Sequence, residues 1–247
     1  MTIAEKLTDI AENVPKVYEA GKKAENSDFW DIIQNSGKRD NYNSAFKYWS
    51  CEYIRPKYKV IAKHMDSAGQ TFSNCLKLKK VEKAYFDFSQ KPTGSTTTTG
   101  YYYTFSYCSE LEEVEDIGLI PQNNCYYTFT GCRKIHTITK LGVNENTKYQ
   151  NTFTNCTSLV NITIDGTIGQ NGFDISAAKS LSPESLYSII KALSQTTTDL
   201  IVTLPSTAEA NYNANPPANA PTTWLELVGN GTEEYSGIRP NWTIAYI

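Results

Sequence analysis

The sequence predicts an α+β repeat fold: a solenoid of short strands with a helix before it and an α/β cap after it. Three observations support this. First, one phrase recurs four times, as TFSNCLKLKKV (71–81), TFSYCSELEEV (104–114), TFTGCRKIHTI (128–138) and TFTNCTSLVNI (152–162). Second, successive Phe residues at 72, 105, 129 and 153 are offset by 33, 24 and 24 positions, and matched apolar positions at a fixed offset mark stacked repeats. Third, a capped helix and two β-rich runs follow the last copy. Three units are expected: a helical head and linker over 1–42, a repeat array over 43–176 and a capping module over 177–247.

Within each copy the apolar residues step by three. Phe72, Cys75, Leu78 and Val81 are matched by Phe105, Cys108, Leu111 and Val114, by Phe129, Cys132, Ile135 and Ile138, and by Phe153, Cys156, Leu159 and Ile162. That step fits neither a strand nor a long amphipathic helix. It fits a short turn with Phe and Cys, followed by an extended segment. Copies of 24 residues fall in the size range of leucine-rich repeats, which bury a continuous core only when stacked. The extra length of the first offset falls in QKPTGSTTTTG (90–100), a surface loop that is either a tolerated insertion or, through Thr96, Thr97 and Thr98, a binding element.

The cysteine count of six implies no disulfide framework here, because four of the six occupy one repeat position. Stacking places those thiols about 5 Å apart as reduced core filler. Zinc is not expected: no CxxC occurs, and His64 and His136 have no ligand-like spacing.

Tyrosines gather ahead of the repeat Phe: Tyr101, Tyr102 and Tyr103, then Tyr126 and Tyr127, then Tyr149. A strand there would send alternate side chains to opposite faces, some to the core and some to solvent. Exposed tyrosines pair a flat ring with a polar tip and suit protein or glycan contacts. They are the candidate binding residues, with covering a sheet face as the alternative.

At the N-terminus Ile3, Leu7, Ile10, Val14 and Val17 alternate steps of four and three, an a/d stripe over about two heptads. Pro15 divides it, and a second helix is expected from that proline onward. The stripe either packs on the first repeat or docks on a partner or a second copy, since so short a helix is marginal alone. Residues 34–44 form a polar linker, and 45–66 a degenerate first copy containing Phe46 and Cys51.

After the array, Ser182 is the expected N-cap of a helix with Pro183 at its first position, and Leu186, Ile189, Ile190 and Leu193 form its apolar face. Strands are expected over 199–204 and 241–247, with a short helix at STAEAN ended by Pro216 and Pro217.

Apolar content of 40 %, charged content of 20 % and a net charge of −3 fit a soluble fold and give no electrostatic reason to expect nucleic acid. No run approaches the length of a membrane span. Catalytic, phosphate-loop and dinucleotide motifs are absent from the sequence, so neither an enzyme nor a cofactor is expected. The acidic run SELEEVED (109–116) and the lysines at 77, 79, 80 and 83 are read as solvated repeat edges.

The phrase F-x-x-C-x-x-L-x-x-I, with Asn74 and Asn155 just before the cysteine, resembles the BspA-type leucine-rich repeat across roughly 70–165. The resemblance implies a right-handed solenoid with a strand per turn and a binding role, most often in surface adhesins. The run MTIAEKLTDIAENVPKVYEAGKKAENSDFWD (1–31) resembles the helical head of repeat proteins encoded near phage tail or prophage genes in Firmicutes. The charged first residues do not read as a secretory signal. The expectation is therefore a virion protein associated with the tail or baseplate. It would be made in the bacterial cytoplasm, contact other virion proteins or its own copies through the head, and bind a cell-surface protein or glycan through the repeats. A bacterial cell-surface adhesin is the alternative.

Overall fold

The computed structural model describes residues 47–50, 52–54, 69–82, 101–115, 124–197, 199–229, 237 and 242–247. The expected N-terminal helices with Ile3, Leu7, Ile10, Val14 and Val17, the linker, and Thr96, Thr97 and Thr98 lie outside the described residues.

The described chain is a mixed α/β structure with short parallel strands in two sheets. The first sheet has β1 (Tyr53–Ile54), β2 (Lys80–Val81), β3 (Glu113–Val114), β4 (Thr137–Val143) and β5 (Asn161–Gly166), in that spatial order. Every pair is parallel, and the register aligns Val81 with Val114, Val114 with Ile138 and Ile138 with Ile162. These are the positions that the repeated phrase makes equivalent. Parallel pairing in sequence order, one strand per copy, is compatible with stacked repeats.

The step of three has a local cause. Cys75 N donates to Phe72 O at 3.2 Å and Leu78 N to Cys75 O at 3.0 Å, and the same i→i+3 bonds recur from Phe105 to Leu111 and from Phe129 to Ile135. Consecutive turns of this kind have three residues each and bring residues i and i+3 to one side. Phe, Cys and Leu therefore share a face without a helix.

The turn segment was expected to hold a tyrosine-bearing strand, and this is corrected: residues 102–107 and 126–131 are turns. Their outward amides still find partners, in the next copy. Phe72 N donates to Thr104 O, Phe105 N to Thr128 O and Phe129 N to Thr152 O, at 2.9 to 3.0 Å. Backbone groups buried between copies are thus satisfied without strand geometry.

The aligned Phe rings form a stack. Centroids of Phe72 and Phe105, then Phe105 and Phe129, are 5.6 Å apart, and Phe129 and Phe153 are 6.0 Å apart, all within 9° of parallel. Each such pair contributes about 0.5–1.5 kcal/mol beyond burial. The stack closes on Phe173, which meets Phe153 edge-on at 60° and 5.5 Å.

The second sheet, β6 (Phe173–Asp174), β7 (Leu200–Leu204) and β8 (Trp242–Tyr246), is also parallel. Three helices accompany it: α1 (Pro183–Ala192), α2 (Ala208–Ala214) and α3 (Trp224–Val228). Helix α1 starts as expected, with the Ser182 side chain accepting from Ser185 N and Pro183 in the first turn. Leu186, Ile189, Ile190 and Leu193 are all buried.

Helix α1 also closes the edge of the first sheet. Ile162 N donates to Ser185 Oγ at 2.8 Å and Ile164 N to Ser188 Oγ at 2.9 Å. Ser185 Oγ donates in turn to Val160 O at 3.0 Å. Two hydroxyls one helical turn apart thereby do for β5 what a further strand would do.

Candidate functional site

Every copy contains two backbone positions in the left-handed region, and these set what the copies show to solvent. One lies two residues before the repeat Phe: Gln70, Tyr103, Tyr127 and Asn151, with φ of 54°, 54°, 56° and 55°. The other lies two residues after it: Asn74, Tyr107, Gly131 and Asn155, with φ of 60°, 59°, 77° and 63°. Tyr48, at φ 65°, joins the second row ahead of Asn74, because its N–H donates to Ser73 O as that of Asn74 does to Ser106 O. Glycine and asparagine accept this conformation readily, whereas tyrosine does so at a cost of about 1–3 kcal/mol.

Side chains between these rows point inward, except that of Thr154, which is exposed. Thr71, Thr104, Thr128 and Thr152 are buried. Thr128 Oγ1 lies 2.7 Å from Tyr101 O, and Thr152 Oγ1 2.7 Å from Cys125 O, so these hydroxyls tie one copy to the one before. The thiols do the same. Cys108 Sγ donates to Phe72 O and Cys132 Sγ to Phe105 O at 3.0 Å, and Cys156 Sγ donates to Phe129 O at 3.2 Å. All five described cysteines are free and buried. Burial pushes the Cys108, Cys132 and Cys156 thiols well up and that of Cys125 up to about 12, which keeps them protonated.

The candidate tyrosines divide. Tyr101 and Tyr149 are 0 % and 1 % exposed, so they leave the binding surface and join the core. With Cys125 they occupy one inward position, four residues before the Phe. Tyr149 packs edge-on against Phe173 at 5.1 Å. Tyr102, Tyr103, Tyr126 and Tyr127 are half-buried at the surface. Tyr103 and Tyr127 stack, with centroids 4.5 Å apart and planes 11° from parallel, and Tyr102 meets Tyr103 edge-on at 6.3 Å. Burial, and then the neighbouring Tyr127 and Tyr107, raise the pKa of Tyr103, so its hydroxyl is held neutral.

Sequence reasoning missed Tyr107 and Tyr48, which are 52 % and 70 % exposed. A signal for Tyr107 was present. It stands immediately before Cys108, where the other copies have Asn74, Gly131 and Asn155, residues that share left-handed tolerance rather than shape.

Apart from Lys47 beside Tyr48, the described ion pairs lie on the strands and on the turns that lead into them. Lys80 pairs with Glu113 at 3.1 Å and Glu82 at 3.3 Å, Lys79 with Glu52 at 2.9 Å, and Lys134 with Glu110 at 2.6 Å. The described carboxylates of the acidic run are thus largely engaged in cross-copy ion pairs, each worth less than about 1 kcal/mol at such exposure.

The C-terminal module contains an unexpected element, α3. It starts in a capping box in which Thr223 accepts from Glu226 N and the Glu226 carboxylate accepts from Thr223 N at 3.1 Å. Hydrogen bonds from the Thr222 side chain and backbone, and from Thr223, hold Glu226 below the usual carboxylate range.

No helix among the described residues is long and apolar enough to cross a membrane. Comparison of the chain with protein-family models, with curated proteins and with solved structures finds no match.

Proposed function

We propose that the chain is a non-enzymatic phage virion protein, associated with the tail or baseplate, that contacts a host surface through its repeats. In this reading the parallel ladder is part of a right-handed leucine-rich-repeat solenoid of the BspA type, closed by the α/β module. The observation that carries the reading is the row of surface tyrosines held on left-handed turns above a rigid Phe and Cys spine. Binding residues on a rigid scaffold are a common way for repeat arrays to act. The spine's chemistry fits display rather than catalysis, because its thiols are held protonated and its neighbouring carboxylates are ion-paired.

The virion assignment rests on the resemblance of residues 1–31 to phage-associated heads, and these residues would contact other virion proteins or further copies of the chain. The bacterial adhesin is the second reading, because the repeated phrase resembles that of surface adhesins. Particles released by lysis and purified on a density gradient should contain the chain by mass spectrometry. Recovery from intact cells by protease shaving, with none in particles, would replace the first reading by the second. Deleting residues 1–30 should leave the repeats folded and abolish attachment to the particle.

A further inference from the structure

We infer that the two outward rows form a stacking platform for a linear, uncharged glycan, an inference that rests on the reading of this face as the binding surface. Four tyrosines, at 48, 103, 107 and 127, take a left-handed backbone that their amide and glycine counterparts adopt far more easily. The Tyr103–Tyr127 stack offsets part of that strain, but Tyr107 and Tyr48 are largely exposed and gain little from burial, and strain of this kind points to a purpose beyond folding.

Glycines make room for the rings. A Cβ on Gly131 would stand 2.8 Å from Tyr107 Cδ1, and one on Gly69 would stand 2.2 Å from Tyr102 Cε1. Tyr107 therefore lies across a neighbouring backbone and remains 52 % exposed, while Tyr103 and Tyr127 stack beside it. Flat rings of this kind meet the C–H face of a sugar, whose partly positive hydrogens match the negative face of the ring.

The surroundings select against charge. Gln70, Asn74, Asn151 and Asn155 continue the rows on either side of the tyrosines, and no residue in either left-handed row is ionised. Carboxamides both donate and accept, as sugar hydroxyls do. At one end Lys47 Nζ donates to Gln70 Oε1 at 2.9 Å and lies over the Tyr48 ring, 5.2 Å from its centroid, so its charge is already engaged. Coils stacked about 5 Å apart offer one row position per coil, close to the length of one pyranose residue. A protein hot spot would add tryptophan or arginine to the tyrosines, and neither stands in these rows.

The full chain can be tested against four neutral glycans (laminarin, dextran, mannan and chitohexaose) by affinity electrophoresis and calorimetry, with heparin as the anionic comparison. Binding to at least one neutral glycan is expected, weakened about tenfold or more by Tyr107→Ala and by Tyr127→Ala but kept by Tyr107→Phe. Failure of all four, equal binding to heparin, or no effect of either alanine variant in a protein of unchanged circular dichroism overturns the inference. A second arm uses Gram-positive cells treated with periodate or trypsin. Binding abolished by periodate supports the inference. Binding abolished by trypsin alone overturns it and leaves the host-surface reading standing. Glycan binding without any cell binding has the opposite result.

Discussion

The ladder over 71–164 and the module over 168–247 are both parallel sheets, yet they are held together differently. In the ladder each contact is repeated. Phe rings stack at 5.6, 5.6 and 6.0 Å, and the thiols of Cys108, Cys132 and Cys156 each reach the Phe carbonyl one copy back. In the module the decisive contacts occur once. Trp242 Nε1 donates to Ser194 O and Trp224 Nε1 to Tyr246 Oη, both at 2.9 Å, and Tyr212 Oη donates to Pro221 O at 2.7 Å. Repetition leaves the outward positions free to vary, whereas one-off contacts fix both partners. The candidate binding residues accordingly sit on the ladder.

The contrast is sharpest at high pH. The four described thiols with raised pKa, Cys108, Cys125, Cys132 and Cys156, lie in the ladder, and no cysteine follows Cys156. A group whose folded pKa is raised gives stability that is full below its unfolded pKa, near 8.5, and is lost as pH rises from there through the folded pKa. The slope is roughly 1.4 kcal/mol per pH unit for each thiol. Hydrogen exchange between pH 7 and 10, corrected for intrinsic rates, should show the ladder losing protection before the module. Equal loss in both would end the distinction.

Phe129→Ala removes a ring stacked on both sides and should cost about 3–5 kcal/mol. Urea melts would check this, and a change below about 1 kcal/mol would show that the spine is not the core. Ser185→Ala tests the joint between the two regions. It leaves Ile162 N and Val160 O without their hydroxyl partner, for an expected loss of about 1–3 kcal/mol. Exchange at the Ile162 amide should rise more than at Ile138, and equal rates would mean that α1 does not secure the edge.

The spine was legible because its residues are alike: Phe, Cys, Leu or Ile, and Val or Ile recur in type, so burial could be read from the pattern. The left-handed rows were not, because Gln, Tyr, Asn and Gly share only a tolerated φ. The stretch from Tyr101 to Phe105 reads as β by composition, yet i→i+3 bonds such as Thr104 N to Tyr101 O turn it instead. That turn is what sends Tyr101 inward and Tyr103 outward. Helix α3 could have been found from Thr223 and Glu226, three residues apart, but its short run between Pro221 and Gly229 resembled irregular chain.

The direction of the inter-copy bonds has a consequence for length. On the turn side donors point forward, from Phe72 to Thr104 and from Phe105 to Thr128. On the strand side the bonds that lead into each strand point back, from Glu112 to Lys79 and from His136 to Glu112. These two sets of peptide dipoles therefore oppose one another along the stacking axis. An α-helix accumulates partial charge at its ends because its dipoles align. Here the two sets offset one another in part, so lengthening the stack by a copy adds less charge at its ends than lengthening a helix of aligned dipoles.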